Sequence, residues 1–200
     1  MTGDSALPAL SSADVATAGG DRIGVILGLA PAWPHASLVA PAFTCSGVTG
    51  DNLVLHRALV EAPFGSAVVA SLSGATPAGH WGELMCIAAA AAGIRGAVVS
   101  GAVRDVTRIE TLGFPVFHAG VAPRPAAKSH RGELGNPVQI DGVTIRTGDL
   151  IVADTDGIAV VPRALIDVVL ADVIRLERRE AEVMRLLESG VTTLEALGLE

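Results

Sequence analysis

A strand–helix–strand repeat written almost wholly in aliphatic residues governs what this chain can fold into. SAVVASLSG (66–74) and AVVSGAV (97–103) are apolar in consecutive runs rather than on alternate residues, and WGELMCIAAAAAG (81–93) lies between them. A strand that is apolar on both faces needs cover on both, as in a parallel sheet sandwiched by helices. Gly93 stands just past the helix, where a left-handed residue ends it. The rhythm continues on either side. SLVAPAFTCS (37–46) reads as a strand and DNLVLHRALVEA as a helix with Asp51 as its cap. DVTRIETLG reads as a short helix closed by Gly113, and FPVFHAG as a further strand. The alternation predicts an α/β fold with a parallel sheet and right-handed crossovers.

Beyond Gly120 the texture changes. VAPRPAAKSHRGELGNP (121–137) is a polar loop rich in Pro and Gly. VQIDGVTIRTGDLIVADTDGIAVVP (138–162) alternates strand candidates with Asp-Gly and Gly-Asp turns, the signature of β-hairpins. Arg163 to Ser189 is a charged amphipathic helix, either solvated or packed at a subunit interface, and VTTLEALGLE makes a last short one. No repeat or linker divides the 200 residues, so one domain over 1–200 is expected, with an amino-terminal arm (1–34) and a helical tail (163–200).

Composition removes several classes of function. A net charge of −7 and no basic stripe argue against nucleic-acid binding. The longest apolar run, CIAAAAAGI, is too short to span a bilayer, so no membrane partner is expected. The amino end lacks the basic segment and hydrophobic run of a signal peptide. Cys45 and Cys86 share no metal-type spacing with each other or with the five histidines, consistent with a reduced, cytoplasmic protein. GAVVSGAV matches neither glycine-rich nucleotide loop.

What remains is a small set of charges in the apolar region: Glu83, Arg95, Arg104 and Asp105. Ligands in open α/β sheets bind beyond the carboxyl ends of strands, and Asp105 follows such an end. Glu83 falls in the first turn of its helix, where free amides and the dipole favour an anion. Plain structural roles suit the same residues: Asp105 as a cap, Glu83 as a dipole partner, Arg104 as an exposed cation. Spacing alone leaves both readings open. In the polar loop, Arg124, Lys128, His130 and Arg131 could bind a second carboxylate or simply be solvated. His118 reads as packed at a strand end, and His56 as structural or interfacial.

Glu83, twenty residues, then Arg104-Asp105 resembles the D-x20-R-D signature of the RraA-like family, which includes the 4-hydroxy-4-methyl-2-oxoglutarate/4-carboxy-4-hydroxy-2-oxoadipate aldolases. DNLVLHRAL, WGEL, GAVVSGAVRDV, GFPVFHAG, GVTIRTGDLIVADTDGIAVVP and the terminal helix resemble family blocks in family order, covering residues 35–198. The resemblance implies a single compact swivelling β/α/β-type domain with a central sheet, covering helices and a C-terminal helix. It also implies homotrimers or homohexamers with active sites between subunits. By the same resemblance Asp105 ligates a divalent metal, Mg²⁺ first and Mn²⁺ second, and Arg104 contacts the pyruvoyl group of a small 2-oxo acid. The backbone around Gly82, Leu84 and Met85 holds the substrate carboxylate. Glu83 supports proton transfer, and Glu180 reaches in from a neighbouring subunit. Glu83 stands where the signature often has Asp.

The implied activity is a metal-dependent class II aldolase that cleaves a 4-hydroxy-2-oxo acid to pyruvate, with oxaloacetate decarboxylase activity. Either reaction leaves enolate charge on the pyruvoyl group, which a cation and Arg104 would stabilise. The lone lysine, Lys128, lies in the polar loop, so a Schiff-base route is not favoured. The alternative within the same family is a regulator that binds and inhibits a ribonuclease without catalysis.

Overall fold

A computed structural model describes residues 10–74 and 78–199. In chain order the elements are α1 (Ser12–Gly19), β1 (Gly24–Ile26), β2 (Ala30–Pro31), β3 (Leu38–Val48), α2 (Leu53–Glu61), β4 (Ala67–Ser73), α3 (Glu83–Ala91), β5 (Gly96–Val103), α4 (Val106–Leu112), β6 (Val116–Val121), β7 (Glu133–Leu134), β8 (Val138–Ile140), β9 (Val143–Ile145), β10 (Leu150–Ala153), β11 (Ile158–Val161), α5 (Ile166–Glu188) and α6 (Thr193–Leu197). Residues 1–9 of the expected arm lie outside the described residues.

The sheet is mixed: the parallel strands expected from the strand–helix alternation form its centre, and antiparallel strands extend it on both sides. Its order is β1-β11-β10-β3-β4-β5-β6-β2, with β7 pairing β3 off this path. β3 to β6 run parallel, as the strand–helix alternation requires. β10 and β11 form a hairpin across the Asp154–Gly157 turn, and that hairpin joins β3 antiparallel. A strand connected by a tight turn cannot enter a sheet parallel to its predecessor. The β8–β9 hairpin stands apart and turns at Asp141-Gly142, both with positive φ.

Each face of the sheet carries its own apolar layer. α2, α3 and α4 cover one face with Leu55, Met85 and Ile109 around the fully buried Trp81, whose ring stacks 6.3 Å from that of Phe114. On the other face Phe117, Val69 and Ile151 pack under Val138 and Ile145 of the small hairpin. Val15 of α1 and Val169 and Val173 of α5 pack against the β10–β11 hairpin. Arg163–Leu165 form a 3₁₀ turn, so the long helix begins three residues later than its charge pattern suggests. No helix among the described residues is long and apolar enough to cross a membrane.

Candidate functional site

The parallel strands end where chemistry is expected. Beyond Val103, Arg104 N donates to Trp81 O (2.9 Å), and Trp81 bridges Val103 in parallel, so residues 79–82 lie against the strand end. Two glycines allow that approach. A Cβ on Gly82 would stand 2.7 Å from Asp105 Oδ2 and 3.1 Å from Arg104 Cγ, and one on Gly79 would stand 2.7 Å from Arg104 Cβ. Arg104 Nε donates to Asp105 Oδ2 at 3.3 Å, with the two side chains 37% and 31% exposed.

Asp105 adopts the left-handed conformation (φ 60°, ψ 31°), and its carbonyl accepts from Arg108 N and Ile109 N to begin α4. Its side chain makes no capping bond. The capping reading is thereby set aside, and the carboxylate is left facing the cleft.

That cleft, of about 150 Å³, has Gly82, Leu84, Met85, Arg104 and Asp105 on one side. Asn52, His56, Gly79, His80, Pro125, Ala126 and Lys128 complete the lining. In the first turn of α3 the Leu84 amide has no intrahelical acceptor, whereas Met85 N donates to Gly82 O at 3.0 Å. Glu83 is not among the lining residues; its Oε2 accepts from Arg108 Nη1 at 2.8 Å. Glu180 lies elsewhere in the chain, on the exposed outer part of α5, where it lines a groove with Leu176, Val183, Met184 and Leu197.

The opposite wall is the polar loop, and Asp51 fastens it. Asp51 is not the N-cap of α2, a position held by Asn52. Its carboxylate accepts from Leu53 N (3.0 Å), Ser129 N (2.7 Å), Ser129 Oγ (2.8 Å) and His130 N (3.0 Å). Burial alone would raise this carboxyl, but the donors outweigh it and hold it well below the ordinary carboxylate range. Main-chain bonds Asn52 N to Ala127 O (2.9 Å) and Ala127 N to Gly50 O (2.7 Å) complete the seam. The seam brings Lys128 into the cleft; Arg124, His130 and Arg131 do not line it. Burial, and then the nearby Lys128 charge, lower the pKa of His56. The Nε2 of His56 and the Oδ1 of Asn52 are buried without a hydrogen-bond partner. His118 lies outside this cleft, in the β6 strand, where burial lowers its pKa.

Among the described residues no three His, Cys, Asp or Glu side chains converge to cage a metal. Asp105 offers one hard carboxylate oxygen donor set in an open cleft, which fits a cation such as Mg²⁺ or Mn²⁺ that takes its remaining ligands from water and a chelating acid.

The family model described as RraA-like, Aldolase/RraA, matches residues 12–160. The chain belongs to the RraA-like family. A Halalkalibacterium halodurans protein provisionally named a 4-hydroxy-4-methyl-2-oxoglutarate aldolase is 37% identical over 126 residues, 63% of this chain and 60% of that one. The matched part therefore spans under two thirds of that relative. A crystal structure of an uncharacterized protein from Pseudomonas syringae pv. tomato superposes with a TM-score of 0.82 at 30% identity, covering 94% of this chain and 92% of that one. Streptomyces coelicolor RraAS2, titled an unusual member of the RNase ES inhibitor RraA protein family, gives a TM-score of 0.75 at 28% identity, with 86% and 90% covered.

Sequence reasoning did not single out His80, the partner role of Arg108 or the clamp formed by Asp51. Each acts across a long stretch of chain through polar bonds, which leave no periodic mark in a sequence.

Proposed function

We propose that the chain is a divalent-metal-dependent lyase that releases pyruvate from a 4-hydroxy-2-oxo acid and decarboxylates oxaloacetate. The observation that carries this reading is the Asp105 carboxylate, which caps nothing and lies beside Arg104 at the carboxyl end of β5. The aldolase name of the H. halodurans relative agrees with it. Asp105 would hold the divalent cation, which would supply Lewis acidity at the reacting end of the substrate.

The chain's own groups do the rest. The Arg104 guanidinium sets a permanent positive charge next to the reacting end, where negative charge develops. The Leu84 amide and the positive end of α3 receive the substrate carboxylate, with Gly82 leaving room and Met85 shaping the wall. Glu83, fixed by Arg108, accepts the 4-hydroxyl proton through a water. Glu180 from a neighbouring copy is the second proton-handling group, in a trimer or hexamer with shared sites.

The test is pyruvate release coupled to lactate dehydrogenase, from oxaloacetate and from 4-hydroxy-4-methyl-2-oxoglutarate, with Mg²⁺ and with EDTA. Metal-dependent turnover is expected, abolished in Asp105→Ala with an unchanged circular dichroism spectrum. Turnover surviving in Asp105→Ala would remove that residue from the mechanism. Mixed Asp105→Ala and Glu180→Ala subunits should regain activity after reassembly, and no recovery would refute the shared site. The second reading, a ribonuclease-binding regulator, is favoured by the likeness to the S. coelicolor protein. Stoichiometric ribonuclease inhibition with no turnover on either acid would select it.

A further inference from the structure

One residue lining the cleft, His80, carries an imidazole that the proposed reaction does not use. His80 is 1% exposed, and both ring nitrogens are engaged: Nε2 accepts from Gly50 N at 2.8 Å, and Nδ1 lies 3.0 Å from Ala102 O. A carbonyl can only accept, so Nδ1 carries the proton and Nε2 is the bare acceptor; the ring is neutral and its tautomer is fixed. Its main chain is bound as firmly. His80 N also donates to Ala102 O (2.8 Å), and its carbonyl accepts from Asn52 Nδ2 (2.8 Å).

These bonds join parts of the chain that carry separate walls of the cleft. Ala102 is two residues before Arg104 on β5. Gly50 belongs to the turn whose carbonyl receives Ala127 N from the Lys128 loop. His80 itself lies between Gly79 and Gly82, the backbone against which Arg104 and Asp105 rest. β5 makes space for the ring: its pairing with β6 shifts register between Val99 and Ala102, and a Cβ on Gly101 would stand 2.9 Å from His80 Nδ1.

We infer that His80 is a positioning residue, a neutral double-ended strut that sets the spacing between the Arg104–Asp105 corner and the Lys128 wall. The inference rests on the reading of the cleft as the active site. A hydrocarbon side chain of similar size would keep the volume but take the acceptor from the half-buried Gly50 N–H, so the tie between the two walls would be lost. Glutamine can restore both ends, with its carbonyl toward Gly50 and its amide toward Ala102. Misplacement of reacting groups by about an ångström costs on the order of 10²-fold in rate.

The experiment compares wild type, His80→Leu and His80→Gln by kcat and KM for oxaloacetate with Mg²⁺. The Arg104 Nε–H and Gly50 amide resonances of isotope-labelled protein are followed in parallel. Expected are a fall in kcat of about 100-fold in His80→Leu, displacement of both resonances, and recovery of kcat to within about tenfold and of both resonances in His80→Gln. Wild-type kcat in His80→Leu, or equal impairment of the two variants, would overturn the strut. If wild type turns over neither acid, the proposed function falls and the resonances alone decide. Displacement in His80→Leu with restoration in His80→Gln then supports the strut, and an unmoved Arg104 signal refutes it.

Discussion

Replacing Asp51 by alanine removes a single buried acceptor that serves four donors. Leu53 N, Ser129 N, Ser129 Oγ and His130 N lie 2.7 to 3.0 Å from its oxygens. Hydrogen bonds to a charged group contribute roughly 1.5–3 kcal/mol each, which would sum to more than 6 kcal/mol if every donor stayed buried. They will not stay buried, because three of the four sit on a surface loop that can lift and regain water. The expected loss is about 3 kcal/mol, the upper end of what most single substitutions cost. For a chain of this size that corresponds to a fall in Tm of about 6–12 °C. Thermal unfolding by circular dichroism gives the number, and pyruvate release reports the second effect, since the detached loop carries Lys128 out of the cleft. Asp51→Asn should lie between alanine and wild type, because one amide oxygen can serve part of the set. A fall in Tm under about 2 °C for Asp51→Ala would show that the carboxylate does not hold the loop, and the account of that wall would fail.

Gly82→Ala places a methyl group 2.7 Å from Asp105 Oδ2. Activity should fall by about tenfold or more at near-normal Tm, and unchanged kinetics would mean that the corner can shift without consequence. Burial lowers the pKa of His56, His80 and His118 below the ordinary 6.5. The unfolded chain therefore binds these protons first, so the stability they confer is whole above pH 6.5 and is lost as pH falls below it. Tm should decline from pH 7.5 to 5.5, well above the window in which Asp51 takes up its proton, and a level or rising profile would contradict the neutral assignment.

The parallel half of the sheet was legible because burial on both faces writes itself into consecutive residues, Ala67–Ala70 and Ala97–Val99, rather than alternate ones. Helix ends were legible where a glycine takes a positive φ, at Gly93 (75°) and Gly113 (65°). The hairpins showed in their Asp-Gly turns, but their antiparallel entry beside β3 did not, since pairing partners more than a hundred residues apart leave no local trace. α1 was missed although Ser11 caps it through Ala13 N and Asp14 N, a signal hidden in a stretch rich in Ala, Ser and Gly. At the site, Arg104 and Asp105 could be found from their place after a strand. His80 and the true role of Asp51 could not, because a buried polar residue is identified by its partners, and apart from Leu53 these lie 22 to 79 positions away.

The left-handed backbone at Asp105 narrows what can follow it in evolution. Few side chains accept that conformation cheaply; asparagine and glycine are the main ones besides aspartate. Both lack a carboxylate. The substitutions that the backbone tolerates best are thus those that would silence the proposed cation site while leaving the scaffold intact. On the proposed reading, a single codon would separate a catalyst from an inert binding surface on the same fold, at a position whose backbone suits either residue.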